Sequence, residues 1–180
     1  MPTLPKITAE NTTNEEVRGI LSGPLKAYAG LNIFQGLANS PAGLKAYAGL
    51  NEALSAGSLS KKEIEAIQLV VSEANGCDYC IAAHTAIGTQ AGLTEDQTVA
   101  ARKADSLGNA KLDAVITFAK AIQDKKGFAD QGDIDAFKAA GHDDAVVVEV
   151  IVAFTLATFT NYFNHINQTE VDFPAVPALA

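Results

Sequence analysis

Ser60-Lys-Lys-Glu63-Ile-Glu65-Ala-Ile-Gln-Leu-Val-Val-Ser-Glu73-Ala-Asn-Gly76-Cys77-Asp-Tyr79-Cys80-Ile-Ala-Ala-His84 reads as two helices separated by one bend. Ser60 and Glu63 spell a capping box: the serine oxygen accepts from the Glu63 amide while the Glu63 carboxylate reaches back. Ile64, Ile67, Leu69, Val70 and Val71 give the first helix its apolar side. Asn75-Gly76 ends it, since glycine takes the left-handed conformation after a last helical turn. A second helix opens at about Cys77 and runs to Ala91, closed by Gly92.

The same punctuation continues on both sides. Thr94 to Gln97 is another capping box and opens a short helix towards Ala104. Lys111 to Lys126 carries apolar residues at three-and-four spacing and stops at Gly127. A short helix covers Asp133 to Ala140. Asp143 and Asp144 place negative charge at the start of a long apolar helix, which suits the helix dipole. Upstream, helices are expected over Asn14 to Leu21, Pro24 to Ala38 and Pro41 to Ser55. There is no βαβ rhythm and no hairpin signal, so the fold class is all-α.

Leu25-Lys-Ala-Tyr28-Ala-Gly-Leu-Asn32 recurs as Leu44-Lys-Ala-Tyr47-Ala-Gly-Leu-Asn51. Two copies are too few for a solenoid. The expectation is a pair of similar packed helices; a duplicated ligand-binding element is the other reading.

The 180 residues carry a formal net charge of -8 and are 48% hydrophobic, enough apolar content for a substantial core. The acidic balance argues against a nucleic-acid partner and against docking on an anionic membrane. The apolar run from Ala145 to Phe159, at about fifteen residues, falls short of the roughly twenty needed to span a bilayer and reads as a core helix. The first residues show no signal peptide, so a cytoplasmic protein is expected. In that compartment a close cysteine pair is more often catalytic or metal-binding than structural.

Cys77 and Cys80 are the only cysteines. On a helix they lie on neighbouring turns of one face, with His84 on that face too. A helix N-terminus favours a thiolate over a thiol and lowers the usual thiol pKa of about 8.5. His84 can remove the thiol proton. Glu65 and Glu73 are the candidate carboxylates to orient its ring. Tyr79 reads as packing or a pocket wall. His142 reads as an exposed capping residue. His165 ends the apolar helix, either as an exposed polar residue or within reach of the site. Inert buried thiols and a zinc site with His84 are the competing readings, although structural zinc needs four ligands.

Glu65, Cys77, Cys80 and His84 together form an E-x11-C-x-x-C-x3-H pattern, flanked by Leu59 to Glu65 and Gly92-Leu-Thr94. In this the chain resembles the alkylhydroperoxidase D-like branch of the carboxymuconolactone decarboxylase superfamily. The likeness extends from about residue 41 to residue 174. It implies an N-terminal helical extension over 1–40, the helical domain over 41–174 and a tail over 175–180. It implies an oligomer of helices, a trimer or hexamer. It implies a thiol peroxidase of small organic hydroperoxides or hydrogen peroxide: Cys80 attacks the peroxide, Cys77 closes the disulfide, His84 relays the proton and Glu65 supports it. A lipoylated or thioredoxin-like protein reopens the disulfide. No cofactor and no metal are implied. Some members carry a histidine just before the second cysteine. Here that residue is Tyr79, which donates a hydrogen bond but is no base near neutral pH. The alternatives are a zinc-binding or redox-sensing helical oligomer, or an enzyme like the lactone decarboxylases.

Overall fold

The computed structural model describes residues 1–176 and 179 of the chain. Part of the tail expected over 175–180 lies outside them. The described residues form nine helices: α1 (Glu15–Ser22), α2 (Asn32–Leu37), α3 (Pro41–Ala56), α4 (Lys61–Asn75), α5 (Asp78–Gln90), α6 (Glu95–Lys103), α7 (Ala110–Asp124), α8 (Gln131–Ala139) and α9 (Asp144–Asn167). No strand occurs among the described residues. The all-α class stands.

α4 is the central element and packs against α5, α6, α7 and α9. Its run from Ala66 to Ser72 is buried without a break, as a helix surrounded by others requires. Both halves of its capping box form: Glu63 N–H donates to Ser60 Oγ at 3.3 Å, and Ser60 N–H donates to the Glu63 carboxylate at 2.7 Å. Gly76 ends it at φ +66°, where any side chain would be strained.

α9 is longer than its apolar run suggested, at 24 residues. Its length and composition suffice to cross a membrane. Here it serves as a core helix, burying Val150, Ala153, Leu156 and Ala157 against α3, α4, α5 and α7. Glu149, which interrupts the run, accepts the Ser58 and Leu59 N–H groups at 2.8 and 2.9 Å and ties α9 to the start of α4.

The helix expected over Pro24 to Ala38 does not form. Residues 23–30 are a series of turns, and only the six-residue α2 follows. The duplicated octapeptide therefore takes two conformations: turns in the first copy, the interior of α3 in the second. Tertiary contacts override the shared propensity. Leu31 is extended (φ -76°, ψ 140°), and the N–H groups freed at the start of α2 find partners elsewhere. Asn32 N–H donates to Asp172 Oδ2 at 2.7 Å and Ile33 N–H to the Tyr79 hydroxyl at 3.4 Å. Breaking the chain there drives Ile33, Phe34 and Leu37 into the interior.

The core has two apolar clusters. The larger joins α4, α7 and α9. The second packs Val17, Leu21, Leu25, Phe34 and Leu44 onto Cys77, Tyr79 and Cys80. The chain ends are knitted over it. Thr3 N–H donates to the Asn167 carbonyl at 2.8 Å, Leu4 N–H to Asn167 Oδ1 at 3.0 Å, and Asn32 Nδ2 to the Glu170 carbonyl at 2.9 Å.

Candidate active site

The bend between α4 and α5 builds the site. Cys77 is not within α5 but caps it: its backbone is extended, and its sulfur accepts the Cys80 N–H at 3.3 Å. A sulfur fills the role usually played by serine, threonine or aspartate. The two side chains hydrogen-bond to one another, and the Asn164 amide donates to Cys80 Sγ at 3.2 Å. Both thiols are free and buried.

Their electrostatics diverge. The hydrogen bond from Cys80 holds Cys77 below the ordinary thiol range; the Cys80 N–H, the Asn164 amide and the charge of His84 help, and burial opposes. Cys80 is pushed well up, first by burial and then by the hydrogen bond and charge of Cys77. Of the two thiols, Cys77 at the helix N-terminus is therefore the first to give up its proton.

One turn further along α5, His84 Nδ1 lies 2.8 Å from Glu65 Oε2 on α4. The carboxylate only accepts, so Nδ1 carries a proton and donates it to Glu65. Cys80, His84 and Glu65 all open onto a cavity of about 210 Å³, whose walls include Tyr79, Tyr47 and Phe173. Cys77 lies behind Cys80, outside the lining. Burial and the Asp172 carboxylate push the Tyr79 phenol up, which keeps it neutral.

Other expected residues sit elsewhere. Glu73 does not orient His84. Its carboxylate accepts from Arg102 Nε at 2.7 Å, on the side of α4 that packs against α6. His165 does not reach the cavity: it is exposed on α9 and stacks on Tyr162. His142 is buried rather than exposed, stacked on Phe137 at 4.4 Å with Nε2 near the Lys111 carbonyl. Among the described residues, no three His, Cys, Asp or Glu side chains gather to hold a metal.

Asn164 touches the thiol pair without having been singled out. Asn161, Asn164 and Asn167 are all buried on α9. Three amides at three-residue steps along an apolar helix are a legible sign of a polar contact inside the core. Asn161 donates to Ser72 Oγ at 3.2 Å and accepts from Asn75 at 2.9 Å, which fixes α9 beside the α4–α5 bend.

The family model for carboxymuconolactone decarboxylases matches residues 41–121. These residues belong to the carboxymuconolactone decarboxylase family. The matched segment contains Glu65, Cys77, Cys80 and His84. Asn164, Phe173 and the turns of residues 23–30 lie outside it.

Solved structures agree on the fold. A peroxidase-related protein from Ralstonia eutropha JMP134, described as an alkylhydroperoxidase AhpD core, aligns with a TM-score of 0.79 at 23% identity, over 95% of this chain and 92% of its own. A peroxidase-related protein from Silicibacter sp. TM1040 gives 0.78 at 20% identity, over 94% and 93%. The debrominase Bmp8, as a cysteine-to-alanine variant with 2,3,4-tribromopyrrole, gives 0.74 at 17% identity, over 96% and 92%. No curated protein sequence matches the chain.

Proposed function

We propose that the protein is a thiol peroxidase that reduces hydroperoxides through a Cys77–Cys80 disulfide cycle. The observation that carries this reading is the placement of Cys80 and the His84–Glu65 pair on one cavity, with Cys77 hydrogen-bonded behind Cys80. Of the two thiols, Cys77 is the more acidic and Cys80 the one that faces the cavity. Passing the Cys80 proton to the His84 Nε2 lone pair bares a thiolate where a peroxide enters and gives His84 the proton that the leaving oxygen needs. The Cys80 sulfur attacks the terminal oxygen of R–O–OH, the O–O bond breaks, and R–O⁻ takes a proton from His84 to leave as R–OH. Cys80 is now a sulfenic acid. Cys77 displaces its hydroxyl as water and forms the S–S bond. Two thiol equivalents from a reductant protein, lipoylated or thioredoxin-like, reopen it. The Asn164 amide steadies the charge on sulfur throughout.

The protein works in this reading as a homo-oligomer. Val148, Ile151, Tyr162 and Ile166 are exposed on one side of α9 and offer an apolar seam to a second copy.

The test is mixing of reduced protein with one equivalent of cumene hydroperoxide, followed by thiol counting and mass spectrometry. Loss of both thiols to an intramolecular disulfide supports the proposal. Cys77→Ser should stop at a sulfenic acid trapped by dimedone, and Cys80→Ser should consume no peroxide. Full turnover by both single variants would refute it.

The aromatic walls of the cavity favour one second reading, thiol-dependent removal of a halogen from an aromatic ring. The stoichiometry is R–Br plus two thiols giving R–H, a disulfide and HBr. Bromide release from 2,3,4-tribromopyrrole, without peroxide turnover, would select it.

A further inference from the structure

The duplicated octapeptide is absorbed by neither the thiols nor the helical core. Its two copies converge on the cavity: Tyr28 and Leu31 come from the first, Tyr47 and Asn51 from the second. The difference in conformation makes this possible. Two helical copies would present their tyrosines along two parallel surfaces. Folded as turns and as α3, they bring both rings against Phe34. Tyr28 lies 5.7 Å from Phe34 at 33°, and Tyr47 lies 4.7 Å from it at 79°. A second aromatic wall stands apart, with Phe173 edge-on to Tyr79 at 5.7 Å. Tyr28 is 41% exposed, so the first wall runs from the surface inwards.

An independent feature sits among the lining residues. Gln68 is 2% exposed. Its Nε2 donates to the Ala153 carbonyl at 3.3 Å, which fixes the amide. Its Oε1 is buried with no partner among the described residues. A buried acceptor left unpaired is costly, and a ligand O–H would satisfy it. The volume agrees with a ring: an apolar cavity of about 150 Å³ takes benzene, so about 210 Å³ takes a benzene ring with a short branched substituent.

We infer that the cavity selects an aryl-bearing organic hydroperoxide, its ring held between the Tyr28–Phe34–Tyr47 and Tyr79–Phe173 walls and its O–H proton donated to Gln68 Oε1. The inference rests on the peroxidase reading for its reactive group. It adds that half of the specificity residues, Tyr28, Phe34 and Phe173, lie outside the family segment.

The experiment uses the full chain and two readouts. Cumyl alcohol, which has the ring and the O–H but no O–O bond, is titrated by calorimetry against the wild type, Tyr28→Ala and Gln68→Met. In parallel, the ratio of kcat/KM for cumene hydroperoxide to that for hydrogen peroxide is measured. Tyr28→Ala alters an exposed ring at the rim, so it tests the wall even if Gln68→Met fails to fold. The inference expects the alcohol to bind the wild type, each variant to weaken it roughly three- to tenfold, and the ratio to fall by a similar factor. Absence of alcohol binding, or binding and ratio indifferent to both changes, would overturn it. Peroxide turnover with no aryl preference sinks this inference and leaves the peroxidase reading standing. Residue-dependent alcohol binding without any turnover sinks the peroxidase reading and keeps the aryl site.

Discussion

Urea unfolding of the reduced protein, measured between about pH 6 and about pH 10, reads the thiol pair directly through proton linkage. In the unfolded chain both thiols titrate near ~8.5. In the fold, Cys77 is held below that value and Cys80 is pushed above it. Between the folded Cys77 value and ~8.5, the unfolded chain binds two protons at these sites and the folded chain one, so stability rises with pH. Above ~8.5 the unfolded chain binds neither proton while the fold retains that of Cys80, so stability falls. Each arm has a limiting slope of about 1.4 kcal/mol per pH unit. Subtracting the Cys77→Ser, Cys80→Ser double variant removes every other titrating group and leaves a curve that peaks near ~8.5. The single variants separate the arms. Cys80→Ser removes the largest cause of the Cys77 shift and flattens the rise. Cys77→Ser keeps the fall, because burial is the first cause of the Cys80 shift. A difference curve that is flat, or that climbs steadily through ~8.5, would refute the opposite shifts assigned to the two thiols.

Glu65→Leu leaves His84 Nδ1–H without its acceptor; it should cut peroxide turnover by about 100-fold or more and cost about 1–3 kcal/mol in urea unfolding. Glu73→Ala removes one hydrogen-bonded carboxylate from the buried Arg102 guanidinium and should cost about 1–3 kcal/mol while the folded variant keeps its peroxide rate, which stopped-flow mixing checks. Ile151→Asp with Ile166→Asp places charge on the exposed seam of α9 and should lower the molar mass seen by light scattering.

The helices were legible wherever local chemistry decides them. Ser60 with Glu63, Thr94 with Gln97, and Gly76 all behave as their residue types require, since a cap is settled within four residues. The pairing of Glu65 with His84 was one of two open choices. Both carboxylates lie on α4, and only the packing of α6 shows that Arg102 takes Glu73. The error over residues 23–38 has the same origin. Nothing local tells the first octapeptide from the second. The difference comes from Asp172 and Tyr79, which are remote in sequence and accept the N–H groups at the start of α2. His142 looked like a surface cap because its neighbours Gly141 and Asp143 are turn formers; its stacking partner Phe137 belongs to α8.

The knitting of residues 3–4 to Asn167 and of Asn32 to Asp172 has a practical outcome. The thiols and the imidazole reside in one continuous segment, while the chamber they serve is roofed by the two arms of the chain that flank it. Part of the selectivity, that carried by Tyr28, Phe34 and Phe173, is therefore editable apart from the chemistry. Grafting the arms of one relative onto the central segment of another would re-tailor the chamber while the sulfur–imidazole machinery stays in place.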